Sequence, residues 1–93
     1  MYSRESAETL ALQALAWIVA QEDLLPVFLG SSGLSENDLR SQVGDPELSG
    51  AVLDFLLMDD RWVQRVCDDL GLAYDRLMLA RAALPGGAQV HWT

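Results

Sequence analysis

The sequence predicts an all-α protein: a compact six-helix orthogonal bundle built from two pseudo-repeated three-helix units. Three observations carry this. No segment alternates apolar and polar residues as a half-buried strand would. Helix start and stop signals recur along the whole chain. The apolar run Leu15-Ala16-Trp17-Ile18-Val19 is answered by Leu53-Asp54-Phe55-Leu56-Leu57, and the same offset of 38 pairs Glu22 with Asp60, Gly33-Leu34 with Gly71-Leu72 and Leu39 with Leu77.

Each element follows from local chemistry. Ser3 or Ser6 caps a first helix, with Glu5 and Glu8 near its positive end. That helix runs to about Gln21 and is apolar nearly all round, which predicts a central position. Asp23 is the predicted cap of a second, short helix carrying Leu24, Leu25, Val27, Phe28 and Leu29, with Pro26 in its first turn. Gly33 stops it, and Leu34 supplies the apolar contact that follows a left-handed glycine cap. Ser35 and Asp38 form a capping box for a third helix with Leu39 and Val43 on one face. Gly44-Asp45-Pro46-Glu47 joins a helix stop to a cap, a first-turn proline and an acid at the dipole. The fourth helix carries Leu48 to Met58. Asp59 or Asp60 caps a fifth, with Trp62, Val63, Val66, Cys67 and Leu70 inward. Gly71-Leu72 repeats the glycine stop, a sixth helix holds Leu77, Leu79, Ala80 and Leu84, and Pro85-Gly86-Gly87 closes the domain. Residues 1–87 thus read as one domain and 88–93 as a flexible tail, with Trp92 the one residue able to pin it.

Composition narrows the function. The chain has 93 residues, 51% of them hydrophobic, enough for one core and too few for two. Net charge is −8, from 14 acidic residues against 6 arginines and no lysine. Such a surface repels phosphate backbones and anionic lipid, so neither nucleic acid nor membrane is an expected partner. The single cysteine, Cys67, excludes an intrachain disulfide and fits a reducing cytoplasm. The most apolar run, Leu10 to Ala20, is about half of a bilayer span and follows Glu5 and Glu8, unlike a signal peptide. The chain therefore reads as cytosolic and unprocessed.

Ala11-Leu-Gln-Ala-Leu-Ala-Trp17, Leu24-Leu-Pro-Val-Phe-Leu29, Gly33-Leu34, Asp45-Pro46, Val52-Leu-Asp-Phe-Leu-Leu57, Cys67 and Gly71-Leu72 share an order and a spacing. Over roughly Ala7 to Gly87 the chain resembles one small bacterial family, domain-of-unknown-function family 3572. The resemblance implies a small helical protein and transfers no catalytic residue.

The chemistry-bearing residues point away from catalysis. Glu22, Asp23, Asp59 and Asp60 fall at equivalent turns and read as helix caps; a divalent-cation site would need oxygen ligands in a loop pattern the chain lacks. Cys67 shares a helical face with Val63, Val66 and Leu70, and the one histidine, His91, lies in the tail, so no nucleophile has a base. Gln64 to Leu84 has helix-turn-helix spacing, with Cys67, Gly71 and Leu77 at the small, glycine and apolar positions. Its second helix offers Tyr74, Asp75, Arg76 and Met78 where a DNA reader would carry Arg, Asn and Gln. Phe28 to Leu57 has the pattern of ubiquitin-associated-like three-helix modules, an analogy that favours protein recognition. An acyl-carrier reading fails for want of an Asp-Ser-Leu attachment site.

The expected role is a non-catalytic protein–protein interaction or regulatory module, without cofactor or metal, binding an unknown protein partner or itself as a weak homodimer. The alternative is a small-molecule or acyl-chain binder with an apolar pocket between the two halves. So apolar a chain of this size cannot hide all its apolar surface, and Leu24 and Trp62 are the expected edge of an interaction patch. The competing reading is that both staple their helix ends onto the core.

Overall fold

The computed structural model describes residues 3–84. The 88–93 tail with His91 and Trp92, and the Pro85-Gly86-Gly87 stop, lie outside them. Among the described residues there are six helices and no strands.

Helix α1, Arg4–Ala20, starts where the Ser3 side chain accepts from the Ser6 backbone N–H at 3.1 Å. Ala7, Leu10, Ala11, Ala14, Leu15, Trp17 and Ile18 form its buried face, with the three- and four-residue spacing of one helical stripe. Chain direction then turns through 117° into α2, Leu25–Ser32. Asp23 does not cap α2, contrary to the sequence expectation. Leu24 holds the cap position with no side-chain hydrogen bond. The backbone N–H groups of Leu24 and Leu25 close on the Gln21 carbonyl instead, and the Asp23 carboxylate turns away to an arginine on another helix.

Gly33 ends α2 with φ 74° and donates its N–H to the Leu29 carbonyl. Helix α3, Glu36–Gln42, opens on a complete capping box. The Asp38 N–H donates to Ser35 Oγ at 3.1 Å and the Ser35 N–H donates to the Asp38 carboxylate at 2.9 Å. The shorter Asp therefore closes the box that Glu usually closes. Helix α4, Pro46–Leu57, takes Asp45 as cap and Pro46 in its first turn. Asp59 caps α5, Asp60–Leu70, and Gly71 ends it with φ 71°. Helix α6, Arg76–Ala82, follows, and Leu84 just beyond it is buried.

Helices α1 and α4 pack on each other, and α6 lies against both. Helix α5 joins through α4, and α2 touches both α1 and α4. Phe28, Ile18, Leu53, Leu56 and Leu77 are the largest side chains fully withdrawn from solvent, so one core draws on four helices. Trp17 and Phe55, which share the 38-residue offset, are both buried. Helix α3 has Leu39 as its only buried residue, as α2 has only Phe28.

The two glycine stops give a test with an internal control. A Cβ on Gly33 or Gly71 meets nothing within 4 Å, so backbone conformation alone opposes a side chain there. Ala at either site is expected to destabilise by roughly 1 kcal/mol. Gly30, inside α2 with equally open space, carries no such strain. Gly30→Ala is expected to stabilise by about 0.5–1 kcal/mol through helix propensity. Urea denaturation of the three variants checks both signs together.

Candidate functional site

The four carboxylates read as turn acids do not converge. Among the described residues no group of three or more His, Cys, Asp or Glu side chains is placed to hold a metal. Asp59 accepts from the Arg61 N–H at 2.8 Å and pairs with its guanidinium at 2.9 Å. Asp23 receives two bonds from Arg65, at 3.0 and 3.3 Å. Each arginine holds its carboxyl below the usual range, mainly through these side-chain hydrogen bonds. Their contribution to stability is therefore present at neutral pH and lost in acid, as pH falls through the lowered values. Glu22 and Asp60 are exposed.

Arg65 does more than neutralise Asp23. It donates to Gln21 Oε1 at 3.2 Å, and its guanidinium lies 5.5 Å from the Trp17 ring centroid. One turn further along α5, Asp69 accepts the Trp17 indole N–H at 2.6 Å. Arg65 and Asp69 thus clamp α5 onto the C-terminal end of α1 through one indole, Arg65 over its ring and Asp69 at its N–H.

Cys67 is fully buried, and burial, with the Asp68 and Asp75 carboxylates adding to it, pushes its thiol above the ordinary value. A nucleophilic cysteine needs the opposite shift. At pH 8 the native protein is expected to resist iodoacetamide, with one equivalent taken up on adding denaturant; intact mass before and after unfolding reads this directly.

The helix-turn-helix spacing also resolves into structure. Tyr74 and Asp75 precede α6 rather than lying on it, and the Tyr74 hydroxyl donates to Asp68 at 2.8 Å. Helix α6 packs Leu77 and Ala80 into the core and leaves Met78 and Leu79 outside. No row of base-reading side chains faces out from it.

The two residues expected at a patch edge part company. Leu24 is only 2% exposed and belongs to the core, which corrects the expectation for that residue: the chain folds onto Gln21 and carries Leu24 inward. Trp62 is half-buried and stacks on Phe55 at 4.6 Å between centroids.

The open apolar surface lies elsewhere. A groove of about 370 Å³ runs between α1 and α3. Leu12, Leu15, Ala16 and Val19 line it from α1, and Leu39, Arg40 and Val43 from α3 and its end. Leu12, Val19 and Val43 are 39%, 50% and 55% exposed. A smaller hollow of about 120 Å³ continues it past Val19 and Leu39 to Leu25 and Glu36. The sequence signal was present: Leu12, Ala16 and Val19 fall on one stripe at helical spacing. An all-round apolar helix implied that every face was covered, and this one is not. The groove lies within the first three helices, not between two halves.

Six helices around one small core, with an open apolar groove beside α1 and α3, define a small all-α domain. Residues 4–87 match DUF3572, described as a protein of unknown function, and the chain belongs to that family. No curated protein and no solved structure matches it.

Proposed function

We propose that this protein is a non-catalytic, cytosolic protein-binding module whose contact surface is the α1/α3 groove. The observation that carries the reading is the groove itself: an apolar trough in which Arg40 and Glu36 are the only charged residues among the described ones, on a chain of net charge −8. Apolar surface ringed by charge is the usual anatomy of a protein contact. The volume of about 370 Å³ falls in the range of small-ligand sites and gives an acyl-chain binder its one support. A trough open to solvent along its length would leave much of such a ligand wet, which favours a protein. The acidic surface speaks against nucleic acid and anionic membrane. No single helix among the described residues is long and apolar enough to cross a bilayer.

The architecture behind the module is proposed to be a pseudo-repeat of three helices. In support, Leu10 and Leu48, Ala14 and Val52, Leu15 and Leu53, Ile18 and Leu56, and Leu39 and Leu77 are 38 positions apart and all buried.

Photo-crosslinking tests the module. A benzophenone amino acid at Val43, introduced in the protein's own cells, is expected to capture a protein, while the same group at exposed Gln64 on α5 captures none. No adduct at position 43 would remove the reading.

A further inference from the structure

We infer that the occupant of the α1/α3 groove is the same groove of a second copy of this chain, in a two-fold dimer with α1 crossing α1 near Ala16 and Arg40 of each copy facing Glu36 of the other. The inference rests on the protein-binding reading above and names the partner.

The first argument is a comparison inside the molecule. Along the pseudo-repeat, Leu12, Ala16 and Val43 correspond to Gly50, Asp54 and Arg81. In the second half these three close the crevice between α4 and α6. Arg81 Nε donates to Asp54 at 2.7 Å, and the guanidinium carbon lies 3.2 Å from where a Gly50 Cβ would stand. The Arg81 side chain is only 19% exposed there. A polar pair thus seals one crevice from within. Leucine, alanine and valine at the matching positions carry no such pair, and leave the apolar surface of the other open among the described residues.

The second argument is charge. Arg40 and Glu36 make no ion pair among the described residues, and both border the trough. The rim therefore balances one acid against one base on a strongly acidic chain. A partner face that complements this rim offers an acid opposite Arg40 and a base opposite Glu36. Two-fold symmetry supplies this without further requirement, since the contact in such a dimer pairs one patch with itself. Ala16 at the centre of the α1 stripe lets two helices approach closely, while Leu12 and Val19 flank it, roughly 6 Å and about 4.5 Å away along the axis.

The third argument is area. The trough is far smaller than the roughly 20–30 residues a side of a standard interface, so the dimer is weak and concentration-dependent. At physiological salt, charge interactions beyond about 8 Å are screened, which reduces the mutual repulsion of two acidic chains while leaving contact pairs.

Analytical ultracentrifugation of the full chain from about 1 μM to about 500 μM, at 0.15 M salt, tests the dimer across the range of a weak complex. Wild type is expected to pass from monomer to dimer over that range. Arg40→Glu and Glu36→Arg are each expected to raise the dissociation constant at least tenfold, and the double exchange to return it to within about threefold of wild type. Ala16→Asp with Val43→Arg, which puts charged groups at the positions matching Asp54 and Arg81, is expected to give a monomer of unchanged helix content by circular dichroism. Wild type that stays monomeric at 500 μM overturns the inference, as does a dimer indifferent to all of these changes or a double exchange that restores nothing. The crosslink at position 43 separates the two levels. An adduct to another protein with wild type monomeric removes the second copy and keeps the module; no adduct at all removes both.

Discussion

Trp17→Ala is expected to cost about 3–5 kcal/mol in urea denaturation, the range for deleting a large buried aromatic. The residue is 7% exposed at the C-terminal end of the central helix, where two independent losses meet. Removing the ring opens a cavity at the edge of the core, and it strips α5 of the group that Arg65 and Asp69 grip. Trp17→Phe separates the losses. It keeps most of the volume and drops the indole N–H that donates to Asp69 at 2.6 Å. Asp69 is exposed, so its carboxylate returns to water rather than standing buried and unpaired. A cost of about 1–2 kcal/mol is expected for Phe, and a value near that of Ala would mean that the clamp stabilises the domain more than the ring does.

Phe55→Ala is the second large effect, also about 3–5 kcal/mol. Phe55 is 3% exposed and joins two aromatic contacts: Phe28 edge-on at 5.1 Å and 66°, and Trp62 stacked at 4.6 Å and 22°. It therefore ties α2 and α5 to α4 through one ring. Aromatic pairs contribute about 0.5–1.5 kcal/mol beyond the area they bury. A double-mutant cycle with Phe55→Leu and Trp62→Leu is expected to return a coupling of that size. A coupling near zero would mean that Trp62 only covers the core. For a domain whose whole stability lies near 5–15 kcal/mol, either alanine variant removes a large share and lowers the melting temperature accordingly.

What the sequence made legible was punctuation. Gly33 and Gly71 need positive φ, Asp45-Pro46 opens a helix, and Ser35 with Asp38 closes a box; each signal spans four residues or fewer, and each falls where local chemistry puts it. What it concealed was long-range. Asp23 had every local reason to cap α2, and lost that role to an arginine 42 residues away. Leu24 followed two acids and looked like a rim, yet the turn onto Gln21 carries it inward. Whether a face of an all-apolar helix is covered depends on where its neighbours stand, and no periodicity in α1 records that α3 stands off from Leu12, Ala16 and Val19. The seal over Gly50 is equally silent: a glycine within α4 reveals nothing until Arg81 is seen lying across it.

The single buried leucine of α3 has a consequence for timing. Helix α3 is well closed at its start by the Ser35–Asp38 box, but only Leu39 anchors it to the body. A helix of seven residues cannot persist in water on propensity and one cap, so its stability is borrowed through that one side chain. The amides of α3 are therefore the ones that exchange with deuterium by local opening, well ahead of those in α1 and α4, which yield only when the whole domain unfolds. One wall of the groove is thus expected to be the least protected of the helices among the described residues. Whatever settles there selects the width of its own seat, and slower exchange across residues 36–42 becomes the earliest sign that the seat is taken.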